Sequence, residues 1–309
     1  MAKTDRGSIK RQDVRLALSG EGPRPLTNLV SKTAQEGAEP NQIVSLEQGD
    51  HPTAWRLQVT NELAGATGTL HGGCGLAAAA AALERTTGRR LSYISGQFLA
   101  RATVGAEVDI EVIELAVGNR ITQAAATCSH GENIVFRAAA ALGGHDLQVD
   151  RQWPTAPEVP APEDCDKRGP TSQSGRSFND FADIRLAGQE PGESDVYYWA
   201  RLDGNLASST QGLIALADLL PSGMRVSLDK GFRGSSLDHS VRLLTQEISS
   251  WVLICLRSAA IENSIGHGSA EIYSQTGTLL ALATQSVSYT HLRAHETVLD
   301  LVCRLLLEK

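Results

Sequence analysis

The sequence predicts an α+β protein in which an antiparallel sheet wraps around one central helix, and it predicts that unit twice. Three observations carry the prediction. One order of elements occurs in residues 41–144 and again in residues 178–286: an alternating strand, an apolar helix, then a meander of strands. Each helix opens at glycine and is almost uniformly apolar. Between the copies, residues 145–177 carry Pro154, Pro157, Pro160, Pro162 and Pro170 among Ser, Asp and Glu, a composition that suits a linker outside both cores.

The first copy starts with the alternating strand Trp55–Thr60. A glycine-rich turn, Leu70-His-Gly-Gly-Cys-Gly75, opens a helix from about Gly73 to Arg85, and strands follow at about Ser92–Ala100, Val108–Ala116, Ile121–Ser129 and Ile134–Leu142. Gly118-Asn119 and Gly131-Glu132-Asn133 supply hairpin turns. The second copy runs as strand Val196–Arg201, helix Ser209–Leu220, and strands Ser235–Leu243, Trp251–Ala260, Ser264–Ser274 and Thr278–Gln285. Its turns are Glu262-Asn263 and Gln275-Thr276-Gly277. Ala77 to Ala82 fit a helix enclosed by a curved sheet, where small side chains on every face let the strands approach.

A chain of 309 residues with net charge −7 lacks the basic face that phosphate binding needs, so nucleic acid is excluded as the main partner. The longest strictly apolar run, Leu76 to Leu83, is far short of the roughly 20 residues a bilayer-spanning helix needs. Residues 1–40 form a polar segment, with one short helix expected near Gln12 to Ser19 and no apolar stretch of the secretory kind. Five scattered cysteines without a CxxC pair suit a reducing compartment, which places the chain in the cytoplasm. Residues 287–309 resemble one-frame translations of the two constant parts of a sequencing-library adapter around its variable index. They are therefore expected neither to pack nor to lend function to His291, His295 or Cys303.

GxSxG, GxGxxG and GxxxxGK[ST] are absent, as are HExxH, HxH and any Cys/His cluster, so no cofactor and no metal are expected. Chemistry is left to side chains and water. Asp218 is the single charge in the second helix and faces Ala81 when Gly75 is aligned with Gly212. Periodicity alone makes it part of a wet stripe with Gln211, Ala215 and Ser222. Cys74 reads as a small buried thiol, and Asp238 and His239, adjacent on a strand, face opposite sides.

Taken together, His71-Gly72-Gly73, Asp218, Ser236 ahead of Asp238-His239-Ser240, and Gln285 near the end of the last strand resemble the type II acyl-CoA thioesterases over about residues 50–286. Members of that family are double hotdog proteins. His71 stands where the family carries an aromatic residue, and Ser236 where it carries Thr or Ser. The resemblance implies two tandem hotdog domains, an acyl-CoA substrate, and a thioester hydrolase with Asp218, Ser236 and Gln285 as its catalytic residues.

For that chemistry Asp218 would be general base to a water fixed by Ser236 and Gln285. Backbone N–H groups at Gly72–Gly73 or at Gln211–Gly212 would polarise the carbonyl. Thiolate leaves readily, so no covalent intermediate is required. Two other readings stand beside this one: a non-catalytic acyl-CoA-binding protein, and a hotdog enoyl-CoA hydratase, which would want an Asp and a His close together on one segment. Further copies of the chain are expected to pair through their sheets.

Overall fold

The computed structural model describes residues 44–144, 151–169, 177–189, 193–202, 209–228, 232–245 and 249–291. The segment 1–40, with the helix expected at Gln12 to Ser19, lies outside the described residues, as do residues 292–309 of the tail. The elements run β1 (Leu46–Gln48), β2 (Ala54–Gln58), α1 (Gly72–Thr87), β3 (Leu91–Phe98), β4 (Glu107–Val117), β5 (Ile121–His130) and β6 (Asn133–Gly143). After a 3₁₀ turn at Pro162–Asp164 come α2 (Phe178–Phe181), β7 (Asp183–Gln189), β8 (Asp195–Arg201), α3 (Thr210–Ala217) and α4 (Leu220–Leu228). The chain continues through β9 (Phe232–Leu243), β10 (Val252–Glu262), β11 (Ile265–Ser274) and β12 (Leu279–His291).

All twelve strands belong to one sheet in the order β1-β2-β4-β5-β6-β3-β9-β12-β11-β10-β8-β7. The order reads the same from both ends once β1 is exchanged for β7, β2 for β8, β3 for β9, and so on through the pairs. The halves meet at the antiparallel pair β3–β9, where Ser95 stands opposite Ser240 and their hydroxyls hydrogen-bond at 2.6 Å. Strand chemistry is ordinary: β4 alternates buried Val108, Ile110 and Val112 with exposed Glu107, Asp109 and Glu111. Asn263 and Ser264 both take positive φ between β10 and β11, the backbone of a tight primed hairpin turn.

Inside the sheet, Ala77 to Ala82 of α1 are all buried. Close approach is the reason they are small: a Cβ on Gly96 of β3 would sit 2.8 Å from Leu76 of the same helix. Helix α3 packs antiparallel on α1, so that the start of each lies against the end of the other.

Three features depart from the sequence reading. The helix expected over Ser209–Leu220 stops at Ala217 and restarts as α4. Pro221 is the cause, since it cannot donate to the Ala217 carbonyl and its ring would clash there. Asp218 takes up the break with φ −84° and ψ 49°.

The connection 145–177, expected outside both cores, is partly buried. Ala156, Val159 and Cys165 pack with Trp199, Trp251, Leu253, Tyr273 and Leu279 on the outer face of the second half. The Trp199 Nε1–H donates to the Pro160 carbonyl (2.8 Å), the Arg185 guanidinium donates to the Pro162 carbonyl (2.8 Å), and Gln152 bonds both backbone groups of Leu279. Prolines suit such a strap because it runs extended and needs few ladder bonds. Among the described residues no strap covers the first half, where the exposed side of β4 is charged at Glu107, Asp109 and Glu111 and apolar further on, at Ile113, Leu115 and Val117.

The third departure is β12, which continues past Ser286 into the tail as far as His291. Val287 and Tyr289 are buried, and the Tyr289 N–H donates to the Ser264 carbonyl at 2.7 Å. The run Val-Ser-Tyr-Thr alternates apolar and polar, so it suits a half-buried strand whatever its origin. The expectation that nothing beyond residue 286 packs is therefore corrected for residues 287–291.

Candidate active site

The first turn of α1 has no acidic residue and no cap from its own N-cap side chain, His71. Helix starts leave N–H groups without intrahelical partners. Here the cap comes from the other half: the Gly73 N–H donates to Asp218 Oδ2 at 2.7 Å. The Gly72 N–H makes no hydrogen bond among the described residues.

Only glycine allows this approach. A Cβ on Gly73 would sit 2.7 Å from both the Ala215 carbonyl oxygen and Asp218 Cβ, and one on Gly72 would sit 2.9 Å from Asp218 Oδ2. Asp218 is 5% exposed, so the wet-stripe reading of its helix face is wrong. The carboxylate is turned inward by the break before Pro221.

Its other oxygen, Oδ1, accepts from Gln285 Nε2 at 2.5 Å, and the same nitrogen lies 2.7 Å from Ser236 Oγ. A carboxylate has nothing to donate, so the Gln285 amide must turn its nitrogen toward it. That leaves Gln285 Oε1 buried with no partner among the described residues.

Ser236 reaches this point through a bulge. His239 stands opposite Gln285 and Asp238 opposite Ser286, but Val287 stands opposite Ser236, so Leu237 is the extra residue. In an unbroken strand Ser236 would share a face with Asp238. The bulge reverses that and puts Ser236 and His239 on the inner side together. Asp238 points away and accepts from the Ser286 N–H at 3.0 Å.

Two imidazoles flank the carboxylate. His71 Nδ1 is 3.6 Å from Asp218 Oδ2, and its ring stacks on Phe178 of α2 at 4.7 Å. His239 is fully buried, and burial pushes its pKa below the ordinary value against the upward pull of Asp218. Cys74 lies in the same turn, and burial, with Asp218 adding to it, pushes its thiol well above the usual range, which leaves it no nucleophile.

The structure thus brings together Asp218, Ser236, Gln285, Gly72 and Gly73. It does not bring Gln211 and Gly212 to them. The Gln211 amide donates to Glu84 at 2.9 Å near the far end of α1, and the Gly212 N–H is taken by the Ser209 hydroxyl at 3.0 Å. Gly73 is likewise committed to Asp218 and has no N–H to spare for a carbonyl. Sequence reasoning gave no role to His71 or His239, and only His71, an odd residue in a glycine turn, offered a signal. Among the described residues no group of three His, Cys, Asp or Glu side chains is placed to hold a metal ion.

Residues 62–143 match the model of the acyl-CoA thioesterase N-terminal domain, and residues 154–289 match that of the acyl-CoA thioesterase C-terminal domain. The chain belongs to the acyl-CoA thioesterase family. The first match ends before the strap, and the second begins within it at Pro154 and ends at Tyr289, within β12.

Solved structures similar to this thioesterase include an inferred thioesterase from Novosphingobium aromaticivorans, 26% identical with a TM-score of 0.73 over 79% of this chain and 97% of that one. A tesB protein of Mycobacterium avium subsp. paratuberculosis is 22% identical, with a TM-score of 0.68 over 79% and 95%. A hotdog-fold protein of unknown function from Alicyclobacillus acidocaldarius is 20% identical, with a TM-score of 0.71 over 80% and 96%. The last of these shows that this thioesterase has a hotdog fold. No curated protein matches the thioesterase sequence.

Proposed function

We propose that this acyl-CoA thioesterase hydrolyses its substrate with a water held by Asp218, Gln285 and Ser236, and that its palindromic sheet is two hotdog domains, 41–144 and 178–286, fused through β3 and β9. The observation that carries the mechanism is the buried Asp218 carboxylate, fixed at both oxygens by Gly73 and Gln285. A carboxylate so fixed keeps one lone pair on each oxygen for a water proton.

Gln285 Oε1, buried with no partner among the described residues, accepts the second proton of that water, and the Ser236 hydroxyl steadies the amide. The water oxygen attacks the thioester carbonyl carbon as its proton passes to Asp218. The Gly72 N–H at the positive end of α1 meets the developing oxyanion. Collapse breaks the C–S bond, and the proton held by Asp218 leaves with the CoA thiolate, so the products are a free carboxylic acid and CoA.

The enoyl-CoA hydratase reading is favoured by one observation: the structure brings a His to Asp218, though from another segment. A single panel separates the readings. Saturated and 2-enoyl CoA thioesters are incubated with the protein, and both free thiol and loss of the conjugated enoyl absorbance are followed. Thiol release supports the thioesterase mechanism, and enoyl loss without thiol supports hydration. Binding with neither marks an acyl-CoA carrier. We further assign the chain to the cytoplasm, since Cys74, Cys128, Cys165 and Cys255 are free thiols, and to a homo-oligomer, which sedimentation tests directly.

A further inference from the structure

The geometry points to His71 as a positioning residue that governs when Asp218 can act as a base: the neutral imidazole with its proton on Nε2 leaves Oδ2 open to the water, and the imidazolium closes it. The inference rests on the hydrolytic reading above and gives His71 a role that neither the family resemblance nor the sequence supplied.

Four observations carry it. Nδ1 of His71 is buried with no hydrogen-bond partner among the described residues and faces Asp218 Oδ2 at 3.6 Å, inside ion-pair range and beyond a hydrogen bond. The ring is packed against Phe178, with centroids 4.7 Å apart, and the backbone that carries it is tied by the His71 main-chain N–H to the Leu63 carbonyl at 2.8 Å. Oδ2 already accepts from Gly73, so one lone pair remains there, and an imidazolium N–H at this place would take it. Finally, the side chain is 12% exposed, enough to exchange a proton and too little for solvent to screen the pair fully.

Among the described residues the charged and titratable groups around His71 are few. Asp218 comes from the end of α3, His239 from β9 with Asp238 behind it, and Cys74 from α1 itself. Asp180 of α2 is held by the Ser177 N–H and hydroxyl, and Glu62 lies beside Leu63. Burial pushes the His239 pKa down and the Cys74 pKa up, and both are fully buried, so His71 is the imidazole of this cluster that reaches solvent. Protonation there costs activity twice over: it occupies the lone pair and sets a positive charge against the proton Asp218 must accept.

The test compares kcat from about pH 5 to 8 for the wild type, His71→Phe and His71→Gln, by thiol release from an acyl-CoA that the wild type hydrolyses. Phenylalanine keeps the stack on Phe178 and cannot carry charge, and glutamine keeps a polar tip if the aromatic variant fails to fold. The acid limb of the wild type should flatten in either folded variant, raising the ratio of acid-end to alkaline-end kcat about tenfold or more. An unchanged limb in a folded variant overturns the proposal, as does a folded variant inactive at every pH.

Ring-nitrogen NMR of the wild type reads the same proton without substrate. His71 signals that move across the limb support the proposal, and fixed signals overturn it. Absence of thiol release from the wild type at any pH would sink the hydrolytic reading instead.

Discussion

Asp218 Oδ2 accepts the Gly73 N–H at 2.7 Å, so the carboxylate at the end of one half's helix caps the start of the other's. The contact joins chemistry to assembly. Any change that moves α1 against α3 also moves the proposed base, and the glycines at 72 and 73 set how near the two helices come.

Replacing Asp218 by Asn should lower kcat about 10²- to 10⁴-fold, the span for loss of a general base. Stability should change by less than about 1 kcal/mol, because the Asn oxygen still accepts from Gly73 and a flipped Gln285 amide can accept from the Asn nitrogen. Steady-state thiol release and a denaturant curve check the two halves of this expectation.

Gly73→Ala should cost roughly 1–3 kcal/mol, since its Cβ would meet backbone oxygen and Asp218 Cβ at 2.7 Å. Activity should fall with it as the carboxylate is pushed off Gln285. Gly72→Ala should be milder in stability, because one of its two nearest neighbours is the Phe98 ring edge at 3.0 Å, which can turn. Equal melting temperatures for the two variants would contradict this.

A chain ending at Ser286 should melt at least roughly 5 °C below one ending at His291, because it loses buried Val287 and Tyr289 together. Calorimetry on the two truncations decides it. Identical melting would mean that the last turns of β12 do not hold the core.

Asp183→Asn should destabilise at neutral pH and make no difference in strong acid. Burial pushes the Asp183 pKa up, but Arg185, Lys167 and Arg201 outweigh burial and hold it below the ordinary value. A lowered native pKa gives stability that is complete above the unfolded value near 3.9 and is lost as pH falls through the native one. The gap between the two melting curves should therefore close below about pH 4.

Much of this was legible in the sequence, and the illegible parts have physical reasons. Period-two alternation and the alanine run announced the strands of both meanders and the helix at their centre. β1 and β7 escaped: the first has three residues, and the second, Asp183–Gln189, has buried residues on both faces and so no clean alternation. Pro221 was visible, yet its effect on Asp218 was not, because a helix break tells where the chain turns and not where a side chain then points. The bulge at Leu237 was likewise hidden, since it arises from pairing with β12 and leaves no mark in the residues of β9. The strap's apolar contacts were missed because Ala156, Val159 and Cys165 are too sparse to give a period. Their partners lie in β8, β10, β11 and β12.

The two helix starts are capped by different means, and this has a consequence for stoichiometry. α3 is closed by its own Ser209, and beside it Gln211 is tied to Glu84, whereas α1 is left open for a carboxylate from across the interface. A pseudo-symmetric molecule could offer two equivalent reaction centres, but here the second is plugged, with alanine at position 81 where an acid would be needed. Each polypeptide should therefore bind one equivalent of a non-hydrolysable acyl-CoA thioether, and isothermal titration should saturate at one, with no weaker second phase.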